Sequence, residues 1–489
     1  MAAEIPRHKT AISRSGLSRP LQRTMADGLL NADRTLLDYG CGRGKDVRLL
    51  SDAGISCSGW DPVHAPKGEL QDADVVNLGY VVNVIENPRE RRDTLTRAWA
   101  LTRRTLVVSA RLTDEAPDAA SSRRYGDGIV TRLGTFQKFF EQQELRTWIE
   151  QVLETPCIAA APGIFYVFRD AAERAEFLAS RFRRSTAPPR LRAGERLLTE
   201  HRELFEQLAN FICQRGRLPA FEELPAARAL KDALGSLKKA FRLLRQSSDP
   251  MVWEQAQVSR TEDLLVFVAL SRFDGRPKFA ELPLDMQLDV KAFFGTYTEA
   301  CRRADDLLFS LGHPDRVNEA CAASPLGKIL PTALYAHVSA VPKLPLLLRL
   351  YEGCARGYLG EVPGATLVKL VRNEPRITYL SYPTFDKDPH PALAAAYGVH
   401  LQTFRSKLRT YTGFRNPPVL HRKETFLATD HPHWQKYAKL TKAEEAKGLL
   451  EDTARIGTRD GWLLTLREHG LALRGHRLIK RRAIPTSGS

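Results

Sequence analysis

The segment Leu36-Leu-Asp-Tyr-Gly-Cys-Gly-Arg-Gly-Lys-Asp46 limits the possible folds of this chain more than any other. An apolar run ends in an acid, Asp38, and glycines follow at 40, 42 and 44. Glycine supplies the unusual backbone angles of a strand-to-helix turn, and its missing Cβ lets a ligand approach the main chain. The flanking pattern repeats the strand–helix alternation of a mostly parallel sheet. Ser18-Arg-Pro20 caps a helix expected to reach Leu30. Strands are expected at 35–39, 55–60, 73–78, 105–110 and 164–168, with helices at 47–53, 88–101 and 134–153. In the last helix, Phe136, Phe140, Leu145, Trp148 and Val152 are the expected core.

The spacing of the glycines discriminates between ligands. A dinucleotide site uses GxGxxG to seat a pyrophosphate on a helix N-terminus. Here the spacing is GxGxG, with an acid two residues before the first glycine, and no GK[ST] follows. A second acid, Asp61 in Ser58-Gly-Trp-Asp-Pro62, ends the next strand about 20 residues on, where a carboxylate can accept both ribose hydroxyls. Asp38, Gly40, Gly42, Gly44 and Asp61 therefore suit S-adenosylmethionine, which carries no phosphate but has a cationic amino group and a sulfonium.

The reacting end of such a site lies at the third strand, Ala73-Asp-Val-Val-Asn77-Leu-Gly-Tyr80. Asn77 and Tyr80 are the candidate catalytic residues: an amide to accept from an amine, and an aromatic to stack on an extruded base. They match the outer positions of the [DNS]-P-P-[YFW] pattern of amino-methylating DNA enzymes. Leu78 and Gly79 replace its prolines, so a plain strand end, with Asn77 capping the next helix, stays open. Asn83 and Glu86 would share a face if the segment were helical. Cys41 is better read as small-residue packing than as a nucleophile.

The chain is similar to the DNA phosphorothioation-associated methyltransferase family. The matching segments are 8–15, Leu37–Gly44, Val76–Glu86, Thr135–Lys138, Ser381–Pro391 and Asn416–Phe426. The resemblance implies a class I methyltransferase in a bacterial DNA-modification or phage-defence setting, and names no acceptor atom. The expected fold is α/β: a Rossmann-like methyltransferase domain over 1–180, a basic linker at 181–196, and a larger, mainly helical, basic region over 197–489. That region contains a small β-hairpin, Ala365–Val371 and Arg376–Tyr382.

Composition narrows the partners. With 489 residues, more than one domain is expected. A net charge of +16 favours a polyanion, and nucleic acid, most simply DNA, is the expected partner, alongside other DNA-modification proteins. Lys231, Lys238, Lys239, Arg242 and Arg245 recur at helical spacing as one basic face, and Thr465–Ser489 reads as a basic tail. Seven cysteines, without a CxxC pair, argue against a disulfide framework or structural zinc and for a reducing cytoplasm. No run of apolar residues is long enough to span a bilayer, and Met1–Arg23 does not read as a secretory leader.

Two clusters, Asp386/Asp388/His390 and Asp430/His431/His433, have metal-ligand residue types but are interrupted by proline, so turn chemistry is the better reading and no metal is assigned. His421-Arg-Lys-Glu424 reads equally as a phosphate contact or a solvated loop. The competing functions are a non-catalytic cofactor-binding subunit of a modification complex, an RNA methyltransferase, and a metal nuclease carried by those clusters.

Overall fold

A computed structural model describes residues 5–10, 14–116, 123–184, 188 and 200–481. Its contacts separate two units: Met1–Arg169 with His313–Ser489, and Asp170–Gly312. The boundaries thus lie at 169/170 and 312/313, whereas the sequence suggested 181–196, most of which is outside the described residues.

The first unit opens with α1 (Arg19–Ala26), β1 (Leu36–Tyr39), α2 (Lys45–Asp52), β2 (Cys57–Trp60), β3 (Ala73–Gly79), α3 (Pro88–Ala100) and β4 (Thr102–Ser109). A small ribbon follows, β5 (Arg123–Tyr125), β6 (Gly128–Val130) and β7 (Phe136–Gln137), then α4 (Gln142–Leu153), β8 (Cys157–Ala161) and β9 (Ile164–Phe168). The main sheet has the order β2-β1-β3-β4-β9-β8. The first four strands are parallel, and β9 runs antiparallel to both β4 and β8. β8 and β9 are buried along their whole length, which explains their unbroken apolar sequence. Leu37, Val76, Leu78, Leu106, Val108 and Phe165 share one core with Leu95 of α3 and Leu145 of α4.

Three sequence expectations shift here. α1 ends at Ala26, because Asp27 and the left-handed Gly28 (φ 71°) turn the chain before Leu30. The helix expected from Gly134 starts at Gln142, where Glu141 and Glu144 form a reciprocal capping box. Phe136, Phe140 and Leu145 are nonetheless buried, and Trp148 and Val152 pack against the core. β8 was not anticipated.

The unit continues after His313 with β10 (Lys328–Leu330), β11 (Ala333–His337), a helix at Leu346–Leu359, β12 (Leu367–Val371), β13 (Arg376–Ser381), β14 (Ala395–His400) and β15 (Ser406–Thr410). The expected hairpin exists as β12–β13, at the centre of a six-stranded antiparallel meander. This region closes the exposed edge of the first sheet. The Glu361 N–H donates to the Ala160 carbonyl of β8 at 2.8 Å, and a Cβ on Gly360 (φ 73°) would sit 2.3 Å from the Ala160 carbonyl carbon. Gln142 Nε2 donates to the Tyr358 carbonyl at 3.0 Å. Part of the expected basic tail is a hairpin, β16 (Leu471–Leu473) and β17 (Leu478–Lys480), packed on a small core around Trp462. Residues 482–489 lie outside the described residues.

The second unit is helical. Phe205, Leu208, Ile212, Leu230, Leu244 and Trp253 form its core. The buried carboxylate of Asp289 is shared by Arg215, Arg217 and Arg260 at 2.5–2.8 Å. The expected single basic helix is two, Pro225–Leu234 and Leu237–Gln246, broken at the left-handed Gly235 (φ 85°). Among the described residues no helix is long and apolar enough to cross a membrane, and no disulfide is present.

Candidate cofactor and acceptor site

Strand order reverses at β1, with β2 on one side and β3 on the other. Open α/β sheets bind ligands beyond the carboxyl ends of their strands at such a switch point. A cavity of about 590 Å³ lies there, lined by the glycine loop, the ends of β2 and β3, and residues of the N-terminal segment.

The loop conforms to the glycine requirement. Gly40, Gly42 and Gly44 have φ of 86°, 52° and 67°. Gly40 also meets a close-approach constraint, since a Cβ there would lie 2.4 Å from Val81 Cγ2. The loop is tied to β2: the Gly40 and Cys41 N–H groups donate to the Trp60 carbonyl at 2.7 and 3.0 Å. The Asp61 carboxylate completes the tie. Its Oδ2 accepts from the Gly42 N–H at 3.1 Å, and its Oδ1 from the Val63 and His64 N–H groups at 2.9 and 2.8 Å. A carboxylate offers about four lone-pair positions, so Oδ2 keeps one for a further donor.

Asp38 is buried at the end of β1, in register with Asn77 of β3. Asn77 Nδ2 donates to Asp38 Oδ1 at 2.8 Å, so Asn77 pairs with the acid and does not cap the next helix. Burial pushes the Asp38 carboxyl up to about 7, against the opposing pull of the Asn77 hydrogen bond, with Asp46 nearby adding to the rise. No ion pair is formed by Asp38 among the described residues, which leaves its charge available to a cationic ligand. Asn77 Oδ1 is buried without a partner among the described residues, as are Ser18 Oγ and Asn83 Oδ1; all three residues line the cavity. Orphaned oxygens are costly in a finished core and usual where a ligand supplies the donors.

Tyr80 also lines the cavity, in a left-handed conformation (φ 60°) rare for an aromatic residue. Its N–H donates to the Ser109 carbonyl at 3.0 Å, and the Arg14 guanidinium stands 5.7 Å from its ring centre. The segment from Tyr80 to Glu86 is a turn, not a helix. Asn83 therefore faces the cavity, where its Nδ2 donates to Gln137 Oε1 at 3.0 Å, while Glu86 is held away by Arg7 at 2.8 Å. Burial raises the Cys41 thiol to about 12, which suits packing and not nucleophilic attack.

Four residues of the site escaped the sequence reading. Ser18 and Asp46 are joined by the Ser18 N–H to Asp46 Oδ1 at 2.9 Å, Arg14 lies 3.6 Å from Asp46, and Gln137 projects from β7. Arg14 and Gln137 were signalled only by membership of the 8–15 and Thr135–Lys138 segments, and Ser18 and Asp46 only as a helix cap and the end of the glycine segment; residues 11–13 lie outside the described residues.

The C-terminal clusters do not assemble a centre: among the described residues no group of three His, Cys, Asp or Glu is arranged to hold a metal ion. Asp388 closes a turn, its N–H donating to the Thr384 carbonyl at 2.8 Å, and Asp386 accepts from the Tyr437 hydroxyl at 3.1 Å. His390 lies between the Leu420 carbonyl (3.1 Å) and Glu444 (2.7 Å). Asp430 pairs with Lys343, and His431 and His433 sit beside it with ring centres 5.8 Å apart. Both readings of 421–424 are corrected: Lys423 and Glu424 are buried, and Lys423 Nζ donates to the carbonyls of Phe385 (2.5 Å) and Asp388 (2.7 Å).

No family model and no curated protein matches the chain. Among solved structures it is similar to the Burkholderia thailandensis 1,6-didemethyltoxoflavin-N1-methyltransferase with bound 1,6-didemethyltoxoflavin and S-adenosylhomocysteine, at 17% identity over 31% of this chain and 79% of that one, TM-score 0.22. It is similar to the magnesium protoporphyrin IX methyltransferase of Synechocystis PCC 6803 with bound SAM, at 13% identity over 35% and 92%, TM-score 0.23. A SAM dependent methyltransferase from Aquifex aeolicus gives 14% identity over 34% and 97%, TM-score 0.23. These similarities extend over about a third of the chain. In strand order and glycine loop, the N-terminal part has a Rossmann-like fold.

Proposed function

We propose that the protein is an S-adenosylmethionine-dependent methyltransferase acting on nucleic acid, with DNA as the substrate. The observation that carries this reading is the cavity at the β1–β3 switch point, where a buried carboxylate with no ion pair among the described residues, three left-handed glycines and orphaned oxygens converge. When bound, S-adenosylmethionine supplies an electrophilic methyl group on a sulfonium sulfur. Asp38 offers its charge to the cationic part of the donor. Asp61 uses its remaining lone pair on a ribose hydroxyl. Asn77, fixed by Asp38, and Tyr80 hold the acceptor, the amide oxygen receiving an amine hydrogen and the ring stacking on a base. Their contribution is proximity and alignment, and the displacement needs no general base from the chain.

The acceptor polymer is argued from the overall charge, +16, since the cavity lining itself mixes cations such as Arg43 and Arg111 with acids such as Asp93 and Glu115. The similarity of six segments to the DNA phosphorothioation-associated methyltransferases supports a DNA-modification or phage-defence setting. The test uses methyl-labelled S-adenosylmethionine with duplex DNA, single-stranded DNA and total RNA. Label in DNA, lost in Asn77→Ala, is the expected result. Label in RNA alone would replace the substrate. No label, with donor binding intact, would turn the reading to a non-catalytic cofactor-binding subunit.

A further inference from the structure

The six-stranded meander buries one face and leaves the other half open. Ile377, Tyr379, Val399, Val368, Leu370 and Leu334 point to the buried face. Register fixes what lies opposite. Lys407 pairs with Gly398, Gly398 with Thr378, Thr378 with Lys369, Lys369 with Tyr335, and Tyr335 with Lys328. Directly paired residues share a face, so these six residues, five of them with side chains, form one row across all six strands. At about 4.8 Å between strands the row is about 24 Å long. Arg409 stands beside Lys407 on the same face, two residues along β15.

Three observations show what this row meets. It contains no acid: none of the residues of β10–β15 on this face is Asp or Glu, and the chain carries no Asp or Glu at all from Pro389 to Lys423. Lys328, Lys369, Lys407 and Arg409 make no ion pair among the described residues. The middle of the row is uncovered: a Cβ on Gly398 would meet nothing nearer than Thr378 Oγ1 at 3.3 Å. The neighbouring row, by contrast, is closed, since Leu367 and Leu380 pack under Phe385, Phe426 and Tyr437. Aromatic surface is at hand, with Tyr335 under the Lys369 ammonium at 5.5 Å and Phe414 exposed just past β15.

A line of cations without ion pairs among the described residues, on an acid-free sheet face, fits a polymer with regularly spaced negative charge. We propose that this face docks the phosphodiester backbone of DNA, with Lys369, Lys407 and Arg409 as phosphate contacts and Gly398 leaving room for close approach. The proposal deepens the reading of the protein as a nucleic-acid enzyme, but it concerns binding, and it is tested without methyl donor so that it fails separately from methyl transfer.

The experiment measures the affinity of the full chain for a fluorescent duplex DNA across a salt series, using Lys407→Glu/Arg409→Glu. A charge-matched control, Lys439→Glu/Lys442→Glu, reverses two exposed lysines on the helix Trp434–Glu445. Lys369→Gln adds a mild substitution in the centre of the row. Thermal melting and S-adenosylmethionine affinity report whether each variant is folded. The sheet double variant is expected to bind at least tenfold more weakly, and to lower the slope of log K against log salt by about 2, at about 0.9 per lost phosphate contact. Lys369→Gln should lower it by about 1, and the control should stay within twofold of wild type. Equal loss in the control, or wild-type affinity in the sheet variants with fold intact, would overturn the assignment. Parallel arms with single-stranded DNA and duplex RNA separate the sources of the same chemistry; binding of RNA alone through this face would also overturn it.

Discussion

Asn77 Nδ2 donates to Asp38 Oδ1 across 2.8 Å, joining the ends of two adjacent parallel strands at the point where strand order reverses. One residue was expected to serve the methyl donor and the other the acceptor. Their contact means that the two halves of the site are mechanically one.

The first consequence is a pH dependence. Burial raises Asp38 from 3.8 to about 7. An acid raised in the fold is a cost in its charged form: stability of the unliganded protein falls as pH rises from about 4 to about 7 and is level above. In the proposed site donor binding runs the other way, because the carboxylate is what meets the cationic donor. Affinity for S-adenosylmethionine should therefore weaken, approaching tenfold per pH unit, as pH drops below about 7. Asp38→Asn should flatten that profile and raise the melting temperature of the unliganded protein at pH 8. Asn77→Ala removes the hydrogen bond that lowers the Asp38 value, so its affinity loss should be greater at pH 7 than at pH 9. Calorimetry across pH checks all three.

Gly40 and Gly44 separate two kinds of glycine requirement. Both are left-handed, but a Cβ on Gly44 meets nothing within 4 Å, whereas one on Gly40 runs into Val81. Gly44→Ala should cost about 1 kcal/mol, from backbone strain alone. Gly40→Ala should cost more and abolish donor binding. Adding Val81→Ala should recover stability only in part, because the strain of the left-handed backbone remains. Denaturant titration of the three variants gives the comparison.

Asp61 has two tasks, and two substitutions divide them. In the proposed site it accepts from three backbone N–H groups, of which Gly42 ties the glycine loop to the end of β2 and Val63 and His64 close its own turn, and it keeps one lone pair for a ligand. Asp61→Asn retains one acceptor oxygen and should keep the melting temperature within a few degrees while weakening donor binding. Asp61→Ala should lower both.

The glycine loop, Asp38, Asp61 and the strand–helix alternation were legible in the sequence, since each is a local pattern with one physical cause. Gln137, Ser18 and Arg14 were not, because their place in the site depends on how β7 and the N-terminal segment fold back over the cavity. β8, Cys-Ile-Ala-Ala-Ala, is mostly alanine and has a single branched residue, Ile158, to mark it as a strand. The meander was seen only at β12–β13. β10 has three residues, β14 is Ala-Ala-Tyr-Gly-Val-His and β15 is Ser-Lys-Leu-Arg-Thr, all weak strand signals held by pairing with their neighbours. The basic helix was drawn through Gly235, which ends one helix before the next begins.

Lys423 gives a prediction for a segment whose charge misled. Its ammonium donates to the carbonyls of Phe385 and Asp388 and lies 3.9 Å from the Tyr437 ring centre, so two distant segments are tied by one buried side chain. Burial lowers this lysine to about 7. Lys423→Met should destabilise the protein by about 3 kcal/mol, since orphaned buried carbonyls cost about 1–3 kcal/mol each. Because the lysine is depressed in the fold, its contribution to stability rises with pH between about 7 and 10.5, and the gap between variant and wild type should widen over that range. Melting curves at pH 7 and pH 9 check it.

The central claim is that the methyl donor binds at the end of β1 beside Asp38. The most direct measurement is isothermal titration of S-adenosylmethionine into wild type, Asp38→Asn and Cys41→Ser at pH 8. The account predicts one donor per chain for wild type, at least tenfold weaker binding for Asp38→Asn, and unchanged binding for Cys41→Ser, whose thiol is held near 12 and only packs. Wild-type affinity in Asp38→Asn, or no binding by wild type, would contradict it.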